Sequence, residues 1–175
     1  MSNLKKCSLA GAGILFGALM LAAAHRFGWT ARAAVILPLM ALLAGAALVD
    51  IHRKKIPNWL TLPGLVWVLA TSAFLGWPRV TEALLGLSFC GGALMVLAVI
   101  SRGSIGGGDV KLMTLIGASL GWQWGFGVFA VAQLAAAIVA GCLLVARRKG
   151  LHDALPFGPF LAVFALLAMI GRPVG

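Results

Sequence analysis

The sequence predicts an all-α fold, a polytopic transmembrane bundle of about seven helices with a cytoplasmic N-terminus. Hydrophobic residues make up 62% of its 175 positions, charged residues 10%, and mean hydropathy is +1.05. No soluble core of this size encloses so much apolar surface. The net charge of +10 is carried in short basic clusters between apolar runs, as in the cytoplasmic loops of membrane proteins. That pattern excludes nucleic acid as a partner and points to membrane lipid.

Apolar windows place the helices near 8–24, 33–50, 59–76, 82–100, 109–121, 125–146 and 155–171. The first follows Lys5 and Lys6 and ends at Ala22-Ala23-Ala24, a pattern shared with cleaved secretory signals. Its apolar stretch is long enough to span, which favours a retained helix. The second closes on Asp50, and Pro57 with Asn58 breaks the chain and caps the third. Glu82 marks the start of the fourth. A single helix from Asp109 to Ala146 would be about 57 Å long, against a hydrocarbon core of ~30 Å. A turn is therefore expected near Gly121-Trp122-Gln123-Trp124-Gly125, leaving a short fifth helix. Trp29, Trp59, Trp77, Trp122 and Trp124 fall near proposed helix ends, as interfacial anchors do.

The positive-inside rule fixes the orientation. Ten of the 14 Lys and Arg then face the cytoplasm (Lys5, Lys6, Arg53, Lys54, Lys55, Arg102, Lys111, Arg147, Arg148 and Lys149) and four the other side (Arg26, Arg32, Arg79 and Arg172). Asp50 and Asp109 consequently share the cytoplasmic side. Cys7, Cys90 and Cys142 are too scattered for a zinc site and read as packing residues, so neither metal nor cofactor is expected.

The chain has four acidic residues, and Asp50 and Asp109 stand at the edges of long apolar runs. A carboxylate held against hydrocarbon costs several kcal/mol, on the order of 2.5 to 3.5, unless it is paired or used. Asp109 follows Gly106-Gly107-Gly108, which permits positive φ and close approach of another chain. The run lacks the Lys-Ser/Thr of a Walker A loop and the preceding strand of a dinucleotide fingerprint. Two carboxylates at one depth share a proton if brought together: one can activate water while the other protonates a peptide carbonyl. Lys111 is expected to turn away from Asp109 toward the lipid headgroups.

Each acid also has an ordinary reading. Asp50 can cap a helix end and pair with Arg53 or Lys54, and Asp109 can serve the macrodipole of its helix. His52 and Asp153 read as solvated loop residues, and Pro156, Phe157, Gly158 and Pro159 as a rigid helix start. A small ion- or proton-coupled transporter is the alternative function, although it favours midplane acids and repeated halves.

Gly106-Gly107-Gly108-Asp109 fits the GxGD motif of membrane aspartyl proteases. With Val110-Lys111-Leu112, the earlier Asp50 and Ile56-Pro57-Asn58, and the late Leu155-Pro156-Phe157-Gly158-Pro159-Phe160-Leu161-Ala162, the chain from about residue 40 resembles the type IV prepilin peptidase family. The resemblance implies an aspartic endopeptidase of the bacterial inner membrane, with Asp50 and Asp109 catalytic. Its substrates would be prepilin or pseudopilin-like proteins, cut at the cytoplasmic face to remove a basic leader. Gly106, Gly107, Gly108, Pro57, Asn58 and Lys111 would form the substrate-binding loops. Longer members also N-methylate the new N-terminus and carry paired CxxC motifs; this sequence has none, which implies a peptidase-only form. Residues 1–32 would be an additional N-terminal membrane helix and 33–175 the peptidase bundle.

Overall fold

The computed structural model describes residues 2–27, 31–53, 58–76, 78–101, 105–146 and 157–171. All six elements are helices: α1 (Ser2–Phe27), α2 (Ala31–Arg53), α3 (Asn58–Leu75), α4 (Val80–Ile100), α5 (Gly107–Val145) and α6 (Gly158–Gly171). The described residues contain no strand. Three of these helices, α3, α4 and α5, are long and apolar enough to cross a membrane. Large apolar side chains such as Phe74, Val99 and Val145 face outward, as a lipid-embedded surface requires.

α5 departs from a straight rod at the place the length argument demanded. Gly121 has φ 80° and ψ 167°, a backbone region that is essentially glycine-only. A Cβ built on Gly125 would lie 3.0 Å from the Cα of Gly117, eight residues earlier. Eight residues of straight helix span about 12 Å, so the chain folds back on itself at Gly121. The result is two arms, 107–120 and 122–145, joined without an intervening loop.

The crowding at this fold is shared with α4. A Cβ on Gly86 would fall 1.9 Å from the carbonyl oxygen of Gly117, and one on Gly117 would fall 2.7 Å from the Cβ of Cys90. Small residues let these backbones touch, which is how helices pack when no hydrophobic force separates helix from solvent. Cys90 is buried here, with its Sγ donating weakly to the Trp122 carbonyl at 3.7 Å. The middle of α4, Leu87–Gly91, is π-helical, a local unwinding that hydropathy does not reveal.

The core is a stripe on α2 (Ile36, Met40, Leu43 and Ala47) facing α6 residues Leu161, Ala162, Ala165 and Leu166, with the first arm of α5 buried from Leu115 to Leu120. α6 packs on both α2 and α5, and α1 lies against α2 and α6. Trp67 of α3 donates its indole N–H to the Val35 carbonyl of α2 at 3.3 Å.

Candidate active site

Asp50 takes its position from helical periodicity. The buried stripe 36, 40, 43, 47 steps by four, three and four residues, and the next step of three lands on Asp50. Asp50 is therefore carried into the bundle, and the residue is only 6% exposed. It also stands near the C-terminal end of α2, where the macrodipole disfavours an anion.

The compensation comes from the opposite end of another helix. The backbone N–H of Gly158, first residue of α6, donates to Asp50 Oδ2 at 3.0 Å. N–H groups in the first turn of a helix have no partner within it, so the carboxylate satisfies an orphan donor in the positive end of the α6 dipole. Gly158 has no room for more: a Cβ there would meet Asp50 Oδ2 at 2.7 Å and Cγ at 3.0 Å. Pro159 follows in the first turn, where its missing N–H costs nothing.

Asp109 is placed by the glycines before it. Gly106 is the N-cap of α5, with φ −65° and ψ 135°, and Asp109 N–H donates to the Gly106 carbonyl at 3.0 Å. The carboxylate sits in the first turn, at the favourable end of its own helix. The expectation that this run uses positive φ is corrected for Gly106; among the described residues, positive φ belongs to Gly76 and Gly121. What the glycines provide is space. Around Gly107 a Cβ would meet nothing within 4 Å, and at Gly106 only Asp109 Oδ2 at 3.4 Å. The backbone beside Asp109 is open, and Gly106 and Gly107 are exposed.

The two acids come from α2 and α5, 59 positions apart in the chain, and each lies within electrostatic reach of the other. Asp50 is buried and Asp109 half-buried. Among the described residues, no three His, Cys, Asp or Glu side chains gather into a metal-binding set.

Residues 35–141 match the type IV leader peptidase family. The chain belongs to that family. It is 31% identical over 157 residues to the prepilin leader peptidase/N-methyltransferase of Pseudomonas putida, covering 87% of this chain and 54% of that protein. The protein of the same name from Myxococcus xanthus is 33% identical over 141 residues, covering 78% of this chain and 42% of the relative. That from Bacillus subtilis is 30% identical over 159 residues, with coverages of 91% and 64%. The chain thus spans about half the length of the curated relatives it matches. No solved structure matches it. The family match begins after α1, within α2, and takes in both Asp50 and Asp109.

Other expected site residues are arranged differently from the reading of the sequence. Lys111 was expected to reach for headgroups, yet its ammonium donates to the side-chain oxygen of Asn58, the first residue of α3. Two residues along a helix is about 200° of rotation, so Asn58 and Lys111 meet on the face of α5 away from Asp109. Gly158, expected to help build a rigid helix entrance near the site, does lie there and donates its N–H to Asp50. The expectations for Trp29, Lys54, Lys55, Ile56, Pro57, Trp77, Arg102, Arg147, Arg148, Lys149, Asp153, Leu155, Pro156 and Arg172, and for the side chains of Lys5, Lys6, Cys7, Arg26, Arg32, His52 and Arg53, fall outside what the structure describes.

Proposed function

We propose that this protein is an intramembrane aspartyl endopeptidase that removes the basic leader of prepilin-like proteins at the cytoplasmic membrane face, with Asp50 and Asp109 as its catalytic pair. The observation that carries the reading is the convergence of these acids, one buried against the α6 N-terminus and one beside the open glycine backbone, in a chain of the type IV leader peptidase family. Seven crossings with a cytoplasmic N-terminus belong to the proposal, supported by the basic-residue asymmetry and the fold-back at Gly121.

In the working state one carboxyl is ionised and the other protonated, because two like charges at close range resist double ionisation. The ionised carboxylate takes a proton from water as its oxygen attacks the peptide carbon, while the protonated partner donates to the carbonyl oxygen. In the collapse of the tetrahedral intermediate a gem-diol hydroxyl returns its proton to the ionised carboxylate as the carbonyl re-forms and the C–N bond breaks, while the leaving amine takes the proton held by the other acid, so that the pair again holds one proton. The space at Gly106 and Gly107 admits an extended peptide beside Asp109. The reading is confined to peptide cleavage; the relatives' names include N-methyltransferase, and the paired CxxC motifs associated with it do not occur in this sequence.

The test is leader cleavage of a co-expressed prepilin in membranes, read by mass spectrometry. Asp50→Asn and Asp109→Asn each leave size nearly unchanged and are expected to abolish cleavage while the chain still inserts. Full cleavage by both variants would falsify the pair.

A further inference from the structure

The second arm of α5 leaves one face uncovered, and that face carries an amide at the depth where the bilayer has nothing to offer it. Between 128 and 145 the buried residues are Val128 and Ala132. On the open side Phe126, Ala130, Gln133, Ala137, Gly141 and Leu144 step by four, three, four, four and three residues, and all six are exposed. Gln133 stands about 100° round the helix from Ala132 and about 140° from Val128, so it cannot turn into the bundle. It lies eleven residues past Trp122 and twelve before Val145. That is roughly 17 Å from each end of the arm, near the middle of a ~30 Å hydrocarbon core.

Apolar packing does not account for this residue. Between Trp124 and Val145 no other side chain carries an amide, a hydroxyl or a charge. Among the described residues the Gln133 amide has no hydrogen-bond partner. An amide left unpaired in hydrocarbon is costly, and glutamine in a membrane helix is relieved by pairing with a neighbouring helix.

The amide also selects its partner, because it donates and accepts at once. Two identical amides facing each other across a two-fold axis satisfy one another by reciprocal hydrogen bonds. Two copies of this chain insert in the same orientation, so the axis runs along the bilayer normal and sets each Gln133 opposite the other at one depth. A different helix would need its own polar group at the midplane. At Gly141 a Cβ would meet nothing within 4 Å, and with Ala130 and Ala137 it leaves room for two backbones to approach. We propose that this face of α5 joins two copies of the chain side by side in the membrane, with the Gln133 amides hydrogen-bonded to each other where the helices cross. The contact is at mid-depth, away from the helix ends that carry Asp50 and Asp109, and stands whether or not those acids cleave peptides.

The experiment places the full chain, labelled with donor and acceptor dyes at its N-terminus, in phosphatidylethanolamine–phosphatidylglycerol vesicles and reads energy transfer as lipid is added. Wild type is expected to associate and to dissociate on dilution. Gln133→Leu, close in size and compatible with hydrocarbon, is expected to weaken association about tenfold. Gln133→Asn keeps the amide and is expected to associate more tightly than Gln133→Leu. Cross-linking identifies the occupant. With the native cysteines replaced by alanine, Ala137→Cys in cell membranes treated with copper phenanthroline is expected to give a product of twice the chain's mass, whereas Phe74→Cys, facing outward on α3, is not. Equal association of wild type and Gln133→Leu overturns the proposal, as does a monomer at every dilution or equal cross-linking of the two cysteines. An Ala137→Cys product of any other mass also overturns it and assigns the face to a different protein.

Discussion

Gly158 illustrates how a residue without a side chain can set the state of one that has it. Its N–H reaches Asp50 at 3.0 Å, and the space its missing Cβ leaves is filled by that same carboxylate. Gly158→Ala keeps the N–H but forces the carboxylate to move, and displacements of about 1 Å in a catalytic group cost roughly a hundredfold in rate. Such a loss in leader cleavage is the expected outcome, with insertion unaffected; unchanged cleavage would show that Asp50 need not stay where α6 holds it. Under the proposed mechanism the pair shares one proton between its two acids, so cleavage rate is expected to trace a bell against pH. A rate rising monotonically to alkaline pH would exclude the shared proton. Asp50 and Asp109 were legible in the sequence because acids are scarce in so apolar a chain, and helical spacing could have shown Asp50 continuing a buried stripe. The helix entrance at Gly158 was legible, but its bond to Asp50 was not: 108 residues separate the two, and no local periodicity records a contact at that distance.

At the scale of helices, the fold-back of α5 decides whether Asp109 and Gly117 can both be where they are. The first arm starts at the acid and ends at Gly121, the one position in α5 with non-helical angles. An alanine there must adopt φ near 80°, a conformation costing about 1–3 kcal/mol. Gly121→Ala is therefore expected to lower the thermal midpoint of the detergent-solubilised protein. Gly86→Ala is expected to do so more strongly, since its Cβ would overlap the Gly117 carbonyl at 1.9 Å and backbone cannot swing aside as a side chain can. If both variants melt with the wild type, the fold-back is not what the glycines hold. Length against bilayer thickness foretold this turn. Its tightness was hidden, because the contact of Gly117 with Gly125 and the π-helical stretch of α4 arise from backbone packing, which hydropathy does not encode. The Asn58–Lys111 hydrogen bond escaped the sequence for a related reason: helical rotation turns Lys111 away from Asp109 but does not say which neighbour it then meets.

For the whole molecule, the arrangement of charge and of helix ends makes one claim that can be tested without any substrate. Asp50 lies near the end of α2 and Asp109 near the start of α5, and the bond from Gly158 adds the start of α6 to the same end of the bundle. Ten of the 14 basic residues lie in the segments assigned to that side, so membrane insertion should place it in the cytoplasm. In a chain with Cys7, Cys90 and Cys142 replaced by alanine, single cysteines introduced as Arg79→Cys and Arg148→Cys report the two faces. A membrane-impermeant maleimide is expected to label Arg79→Cys in intact cells and Arg148→Cys only after permeabilisation. Labelling of both from the same side would undo the orientation, and with it the cytoplasmic access to the acid pair that the proposed leader cleavage requires. The reverse pattern would put the acids on the far face, where a substrate held by a cytoplasmic basic leader could not present its cleavage point to them.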